Sequence, residues 1–330
     1  MRTILYPPTI DYSFMKQRPQ HLMEKFAELG WGVYYCNKNQ DINKPLTQTI
    51  KPNFKLVNNF SLLCEVLFEI GIFFTSWAKY VEIVDAIPSA KLVIYDCLDN
   101  FIEWEKYEKE MLKRADIVTT TSKMLYDKVS QEHKKVYLVP NGCDPAFIQK
   151  ADSFYLKKFR DKLITEGRKR PIVGFVGALG NWVDVNLIEE VAKKYTTIVV
   201  GPEFGNSCPR NVINLGMQDY RNLPLYYNLI DVGIIPFKIN NVSLAANPIK
   251  MYEYFAAGKP VVAIKTPETE FGDVYSVGRK DFIDAIGKAY SEDSAEKQTL
   301  RKQLAKENSW EKRAREIKAI IEDELQRRGL

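Results

Sequence analysis

Cysteine is sparse and scattered: the five, Cys36, Cys64, Cys97, Cys143 and Cys208, are odd in number and form no C-x-x-C pair. Neither a disulfide framework nor a zinc site is expected, and a reducing compartment fits. The opening MRTILYPPTI has one arginine and then a strand-like run; it lacks the apolar core of a signal peptide, so no leader is expected. A long uncharged apolar run is also missing. The most apolar stretch, 60–77, is interrupted by Glu65 and Glu69 at helical spacing, and the uncharged run beyond Glu69 is too short to cross a bilayer. It predicts an amphipathic helix over 61–70 and then a buried strand, with no transmembrane helix. Nor is there a broad basic face. The net charge is +5, but residues 1–150 hold 19 Lys+Arg against 18 Asp+Glu and residues 171–330 hold 21 against 21, leaving the excess in 151–170, with 7 against 3. A nucleic-acid partner is therefore not expected. A single basic segment suits a linker, a solvated helix face, or contact with anionic lipid or phosphate.

The chain does carry apolar material for two cores: 45% hydrophobic and 12% aromatic residues against 27% charged, in 330 residues. Short apolar runs alternate with longer amphipathic stretches, the pattern of βα units on parallel sheets. In the first half strands are expected at 3–6, 32–36, 71–76, 92–96, 117–120 and 136–139, with helices at 18–29, 61–70, 104–114 and 123–132. After PNGCD and the basic segment, which reads as a linker, strands are expected at 172–176, 197–200, 212–215, 232–235 and 261–264. Helices fall between them at 185–194, 223–229, 249–257 and 281–291, and the tail 296–328 is charged and helical in period.

The segment most suggestive of chemistry is NPIKMYEYFAAGKPVV, residues 247–262. Asn247 can cap a helix, Pro248 suits its first turn, and Gly258 ends it. Lys250 and Glu253, three apart, share one face. A helix N-terminus beside a lysine favours a diphosphate, and a carboxylate one turn along can accept two hydrogen bonds from a ribose diol. An ordinary helix with a surface Lys–Glu pair fits the spacing equally well. In GFVGALGNW, Gly177 would let a backbone approach a phosphate, but the glycines are evenly spaced and G-x-G is missing, which disfavours a dinucleotide site. In the first half, YDCLDN puts Asp96 and Asp99 at the C-terminal end of a strand, where open α/β sheets bind ligands. Either could equally cap a helix or hold a loop.

Taken in order, QRPQHLMEKFAELG, YDCLDN, ADIVTTTS, VPNGCD, GFVGALGNW, LPLYYNLIDVGIIPF and NPIKMYEYFAAGKPVV resemble the nucleotide-sugar glycosyltransferases of the GT-B fold, family 4-like and of the type that builds bacterial surface polysaccharides. The last carries that family's donor signature, P-x-K-x-x-E-Y followed by A-x-G-x-P-V-V. The resemblance implies an α/β, GT-B protein: an acceptor-binding Rossmann-like domain over 1–165, a donor-binding one over 166–305, and a C-terminal helix over 306–330, containing Trp310, that crosses back to the first. It implies Lys250 on the donor diphosphate and Glu253 on the ribose, with Gly177, Asn181, Met217, Asn247 and Pro248 around the donor. It also implies Asp99 as the base for the acceptor hydroxyl if the reaction inverts, and His21 as a further catalytic candidate at the polar opening of the first long helix.

One departure stands out. Retaining members often carry another glutamate eight residues before Glu253, where this chain has Ala245. Asn240, Asn241, Ser243 and Asn247 are the nearby polar substitutes. No D-x-D triplet occurs, so the metal of GT-A transferases is not expected, and no cofactor is implied beyond the nucleotide sugar as co-substrate. The expected donor is UDP-linked and the acceptor a saccharide or a lipid-linked saccharide. The expected location is the cytoplasm, with contact between the basic segment or the 61–70 helix and an anionic inner membrane face. A nucleotide-sugar 2-epimerase and an inactive binding subunit on the same fold are the rival readings.

Overall fold

The computed structural model describes residues 2–61, 70–87, 89–149, 153–165 and 170–330. The chain forms two compact units, Met1–Asn141 with Trp310–Leu330, and Gly142–Ser309.

The first unit is built on an eight-stranded sheet of β1 (Thr3–Tyr6), β2 (Gly32–Cys36), β3 (Thr47–Lys51), β4 (Phe54–Val57), β5 (Ile72–Thr75), β6 (Leu92–Cys97), β7 (Ile117–Thr120) and β8 (Val136–Leu138). Their order is β3-β4-β2-β1-β5-β6-β7-β8, parallel throughout except that β3 runs antiparallel to β4. The expected strands are present to within a residue or two at each end; β3 and β4 are the additions. TQTIK of β3 is polar and half-exposed at the sheet edge, so it lacks the apolar run that marks a buried parallel strand. The helix expected over 61–70 lies outside the described residues, apart from its end positions.

Helix α1 (Arg18–Glu28) starts from the cap Gln17, whose backbone N–H donates to Gln20 Oε1 at 3.1 Å. Arg18, in its first turn, is 1% exposed, and its guanidinium grips Asp96 of β6 with two bonds, Nε to Oδ2 at 2.8 Å and Nη2 to Oδ1 at 2.9 Å. Thr119 of β7 donates to the same carboxylate at 2.6 Å, and Arg18 Nη1 reaches Pro140 O at 3.1 Å. One buried ion pair thus ties α1 to the middle of the sheet and to the end of the unit. The unit is completed by α2 (Glu105–Arg114), α3 (Lys123–Val129) and the last helix of the chain.

The second unit begins with α4 (Pro145–Ile148) and α5 (Ser153–Thr165). The described part of the basic segment is therefore helical rather than a bare linker. Arg160 of α5 donates to Leu229 O at 2.8 Å and pairs with Asp231 at 2.6 Å, and Asp231 also accepts from Ile172 N–H at 2.9 Å. That anchorage places 153–165 with the second unit, whereas the expected boundary falls at 165. The sheet comes next: β9 (Ile172–Val176), β10 (Thr196–Val200), β11 (Ile213–Asn214), β12 (Val232–Ile235), β13 (Val261–Ile264) and β14 (Val274–Val277). It is parallel with order β11-β10-β9-β12-β13-β14, so the direction of winding reverses between β9 and β12. The unexpected β14 is a half-buried edge strand.

Helices α6 (Val185–Lys194), α7 (Leu223–Leu229), α8 (Asn241–Ala245), α9 (Ile249–Ala256) and α10 (Phe282–Ser291) cover the faces. Alternate residues of β9 feed opposite cores: Ile172 and Val176 pack with Tyr254 and Phe255 of α9, and Val173 and Phe175 with Leu187 and Val191 of α6. Helix α9 is pinned through Tyr254, whose hydroxyl donates to Gly174 O (3.1 Å) and accepts from Val176 N–H (3.0 Å). Gly233 is required beneath that ring, because a Cβ there would lie 2.5 Å from Tyr254 Cγ.

The helical tail is interrupted. Helix α11 (Ala295–Glu307) packs on α9, the chain turns at Asn308, and α12 (Trp310–Arg327) returns to the first unit, where it packs on α1. Lys135 clasps Glu324 of α12 at 2.7 Å. No helix among the described residues is long and apolar enough to cross a membrane.

Asp96→Asn keeps the side-chain shape but leaves the Arg18 guanidinium buried without its charge partner. Breaking such a pair costs about 3–5 kcal/mol, so the urea midpoint is expected to fall by that equivalent, with the slope unchanged. A loss below about 1 kcal/mol would mean that the pair does not carry the unit.

Candidate functional site

The sequence candidates separate into two groups, one in each unit. In the second unit all of them lie beyond the C-terminal ends of the strands or at the head of α9, on the side where parallel sheets gather their ligand loops. The loops there are stitched by backbone bonds. Gly177 N–H donates to Val200 O at 2.8 Å, Gly201 N–H to Gly216 O at 2.8 Å, and Lys238 N–H to Trp182 O at 2.8 Å. The closest approach is between Gly177 and Gly201: a Cβ on Gly201, at φ +151°, would stand 2.0 Å from the Gly177 carbonyl oxygen. Gly201 is therefore the residue on which that contact depends. Sequence reasoning names Gly177 and misses Gly201, because a lone glycine after a strand carries no spacing signal. Asn181 is exposed, with its amide against Gly205, and Met217 is 49% exposed just past the turn at Gly216.

The head of α9 differs from expectation in one respect. Asn247 does not cap the helix; Pro248 does, with extended backbone and no side-chain acceptor. The Asn247 side chain, one position before the cap, is buried and donates to Glu268 Oε2 at 2.8 Å. Pro248 thus gives the opening turn of α9 no side-chain cap of its own, and a helix end of that kind can receive an anion. Lys250 Nζ lies 2.9 Å from Glu253 Oε2, with 27% of the lysine side chain exposed and only 3% of the glutamate's. The same Oε2 accepts from the hydroxyl of Tyr227 in α7, a fully buried residue that sequence reasoning does not single out. Burial and the neighbouring Glu253 charge drive the Tyr227 phenol well above its ordinary pKa.

Around Ala245, itself fully buried, the polar substitutes are largely committed. Asn240 and Ser243 form a reciprocal capping box for α8, with bonds of 2.9 and 3.0 Å, and Ser243 also donates to Lys238 O. Asn241 is exposed.

In the first unit the two aspartates of YDCLDN have diverged. Asp96 is consumed by Arg18 and Thr119, whereas Asp99, in the loop after β6, has no hydrogen-bond or ion-pair partner among the described residues. It lines a cavity of about 30 Å³ together with Ser76, Trp77, Trp104 and Glu108, enough room for a water or two. Half-buried and without a compensating cation, the Asp99 carboxyl is pushed by desolvation up to about 6, the range of a useful general base. Glu108, across the cavity, is by contrast neutralised by Lys128 at 2.5 Å.

The polar opening of α1 that holds His21 is buried: Gln20 is 0% and His21 3% exposed. The imidazole lies flat against Trp310 of α12, ring centres 5.0 Å apart and planes 13° from parallel. It packs between α1 and α12.

No protein-family model matches the chain. It is similar, at 28% identity over 267 residues, to a putative teichuronic acid biosynthesis glycosyltransferase, TuaH, of Bacillus subtilis; the match covers 69% of this chain and 66% of that protein, a little under two thirds of its length. Among solved structures it superposes on sucrose-phosphate synthase from Thermosynechococcus elongatus (TM-score 0.74, 15% identity, 99% of this chain and 100% of that one). It also superposes on Anabaena HepE in complex with UDP-glucose (TM-score 0.73, 13% identity, 98% and 100%). The chain therefore has the GT-B fold, and in sequence as well as in fold the proteins it resembles are glycosyltransferases.

Proposed function

We propose that this protein is a glycosyltransferase that moves a sugar from a nucleotide sugar, UDP-linked, to a saccharide acceptor, free or lipid-linked, in the synthesis of a surface polysaccharide. The observation that carries the reading is the head of α9, where an uncapped first turn, Lys250 and the buried Glu253 stand together. The UDP-glucose held by HepE and the teichuronic acid assignment of TuaH support the donor and the product class.

In the transfer the acceptor oxygen bonds to C1 of the sugar as the bond from C1 to the diphosphate oxygen breaks, its electron pair departing on the nucleotide. Charge accumulates on the diphosphate. Lys250 and the N-terminal end of α9 compensate it without a metal, and Glu253 holds the ribose. In an inverting course Asp99 takes the acceptor's proton.

Removing a charge partner of this kind costs about 100- to 1,000-fold in turnover. Lys250→Ala is accordingly expected to lose at least 100-fold in transfer from UDP-sugars with little change in melting temperature, while the wild type keeps its rate in EDTA. Unchanged transfer by the variant would remove Lys250 from the chemistry, and loss of wild-type activity in EDTA would restore a metal. The same assay tests the inactive-subunit alternative.

The Asp99 carboxylate is a base only above its raised value near 6. The rate is therefore expected to be flat at neutral pH and to fall tenfold per unit below about pH 6, with Asp99→Asn abolishing both activity and that limb. A variant that retains the limb would assign the base elsewhere.

Contact with an anionic membrane belongs to the same reading. Exposed Lys157, Lys158 and Lys162 lie on α5 with Phe154, 69% exposed. Flotation with phosphatidylglycerol liposomes, but not with phosphatidylcholine ones, is the expected result; equal recovery with both would dismiss the contact.

A further inference from the structure

We propose that Tyr227 is the positioning residue of the donor site, and that it gives this protein its selectivity for a ribonucleotide over a deoxyribonucleotide. The inference rests on the reading of Glu253 as the ribose-binding carboxylate.

Glu253 is 2% exposed and its oxygens are unequal. Oε2 receives both the Tyr227 hydroxyl and, at 2.9 Å, the Lys250 ammonium, whereas Oε1 has no protein partner among the described residues. A glutamate's terminal torsion is broad and two-fold, so an untethered carboxylate presents either oxygen, at many angles. Two donors on one oxygen remove that freedom and leave the other, with two lone pairs, to accept from two adjacent hydroxyls.

The two donors are not equivalent once a diphosphate is present. Lys250 is partly exposed and flexible, and an arriving diphosphate competes for its charge. Tyr227 cannot follow, because its ring is wholly buried and lies edge-on against Tyr254, centroids 5.6 Å apart at 76°. When Lys250 turns to phosphate, Tyr227 alone keeps a buried carboxylate compensated and oriented. The phenol stays protonated across any working pH, because burial and the Glu253 charge both oppose its ionisation. Tyr227 acts through Glu253 and needs no contact with the nucleotide.

The test compares UDP with 2′-deoxy-UDP, which keeps the base and diphosphate but lacks one of the two hydroxyls. A hydrogen bond to a charged acceptor is worth roughly tenfold or more in affinity, so calorimetry on the wild type is expected to show UDP favoured by about that factor. In Tyr227→Phe the preference is expected to shrink to within about twofold, while inorganic pyrophosphate binds as before and the melting temperature shows the fold intact. In a Glu253→Gln background Tyr227→Phe is expected to change the ratio no further, since both act through one carboxylate. That background also supplies the answer if the single variant folds poorly. A wild type that binds UDP without preferring it, or a Tyr227→Phe that keeps the preference, overturns the inference. A wild type that binds neither nucleotide overturns the donor reading, and the inference with it.

Discussion

A carboxylate taken out of water has to be compensated, and where this protein does so and where it does not separates structure from chemistry. Asp96 is fully compensated: a bidentate arginine and a threonine fill its lone pairs, and the first unit is held together through it. Glu253 is half compensated, with one oxygen saturated by Tyr227 and Lys250 and the other left to a ligand. Asp99 is not compensated at all, and its carboxyl is displaced toward neutrality. The same side-chain chemistry thus yields an anchor, a binding group and a candidate base, according to how many donors the fold supplies.

The fold supplies them where parallel sheets leave room. Both faces of each parallel sheet are covered, and in the second unit successive residues of β9 alternate between two apolar cores. Polar side chains therefore emerge at the strand ends. Glu253 is held there by a chain of apolar packing, with Tyr254 seated over Gly233 and bonded to β9, and Tyr227 against Tyr254. The site's precision is inherited from the core beneath it.

Much of this is legible in the residues. Strands with both faces buried are largely apolar runs, and those of β1, β2, β9, β12 and β13 are located to within a residue by their apolar letters. The pairing of Lys250 with Glu253 comes from spacing of three on a helix. Edge strands β3 and β14 escape because half-exposed strands lack the run, and α5 reads as a linker because its basic, polar face outweighs its few packed residues. The Asn247 cap fails for a local reason: the helix begins one residue later than the N-P dipeptide implies, and the amide finds a carboxylate instead.

By itself the sequence determined two parallel α/β units and a lysine–glutamate pair at a helix head, because period, run length and spacing along the chain are local properties. The tertiary structure decided which of two aspartates is free, that His21 is buried against Trp310, and that Tyr227, 26 positions away in sequence, completes Glu253. Those depend on burial and on partners brought from distant segments, and a side chain's proton affinity and freedom of motion are set by its surroundings in space.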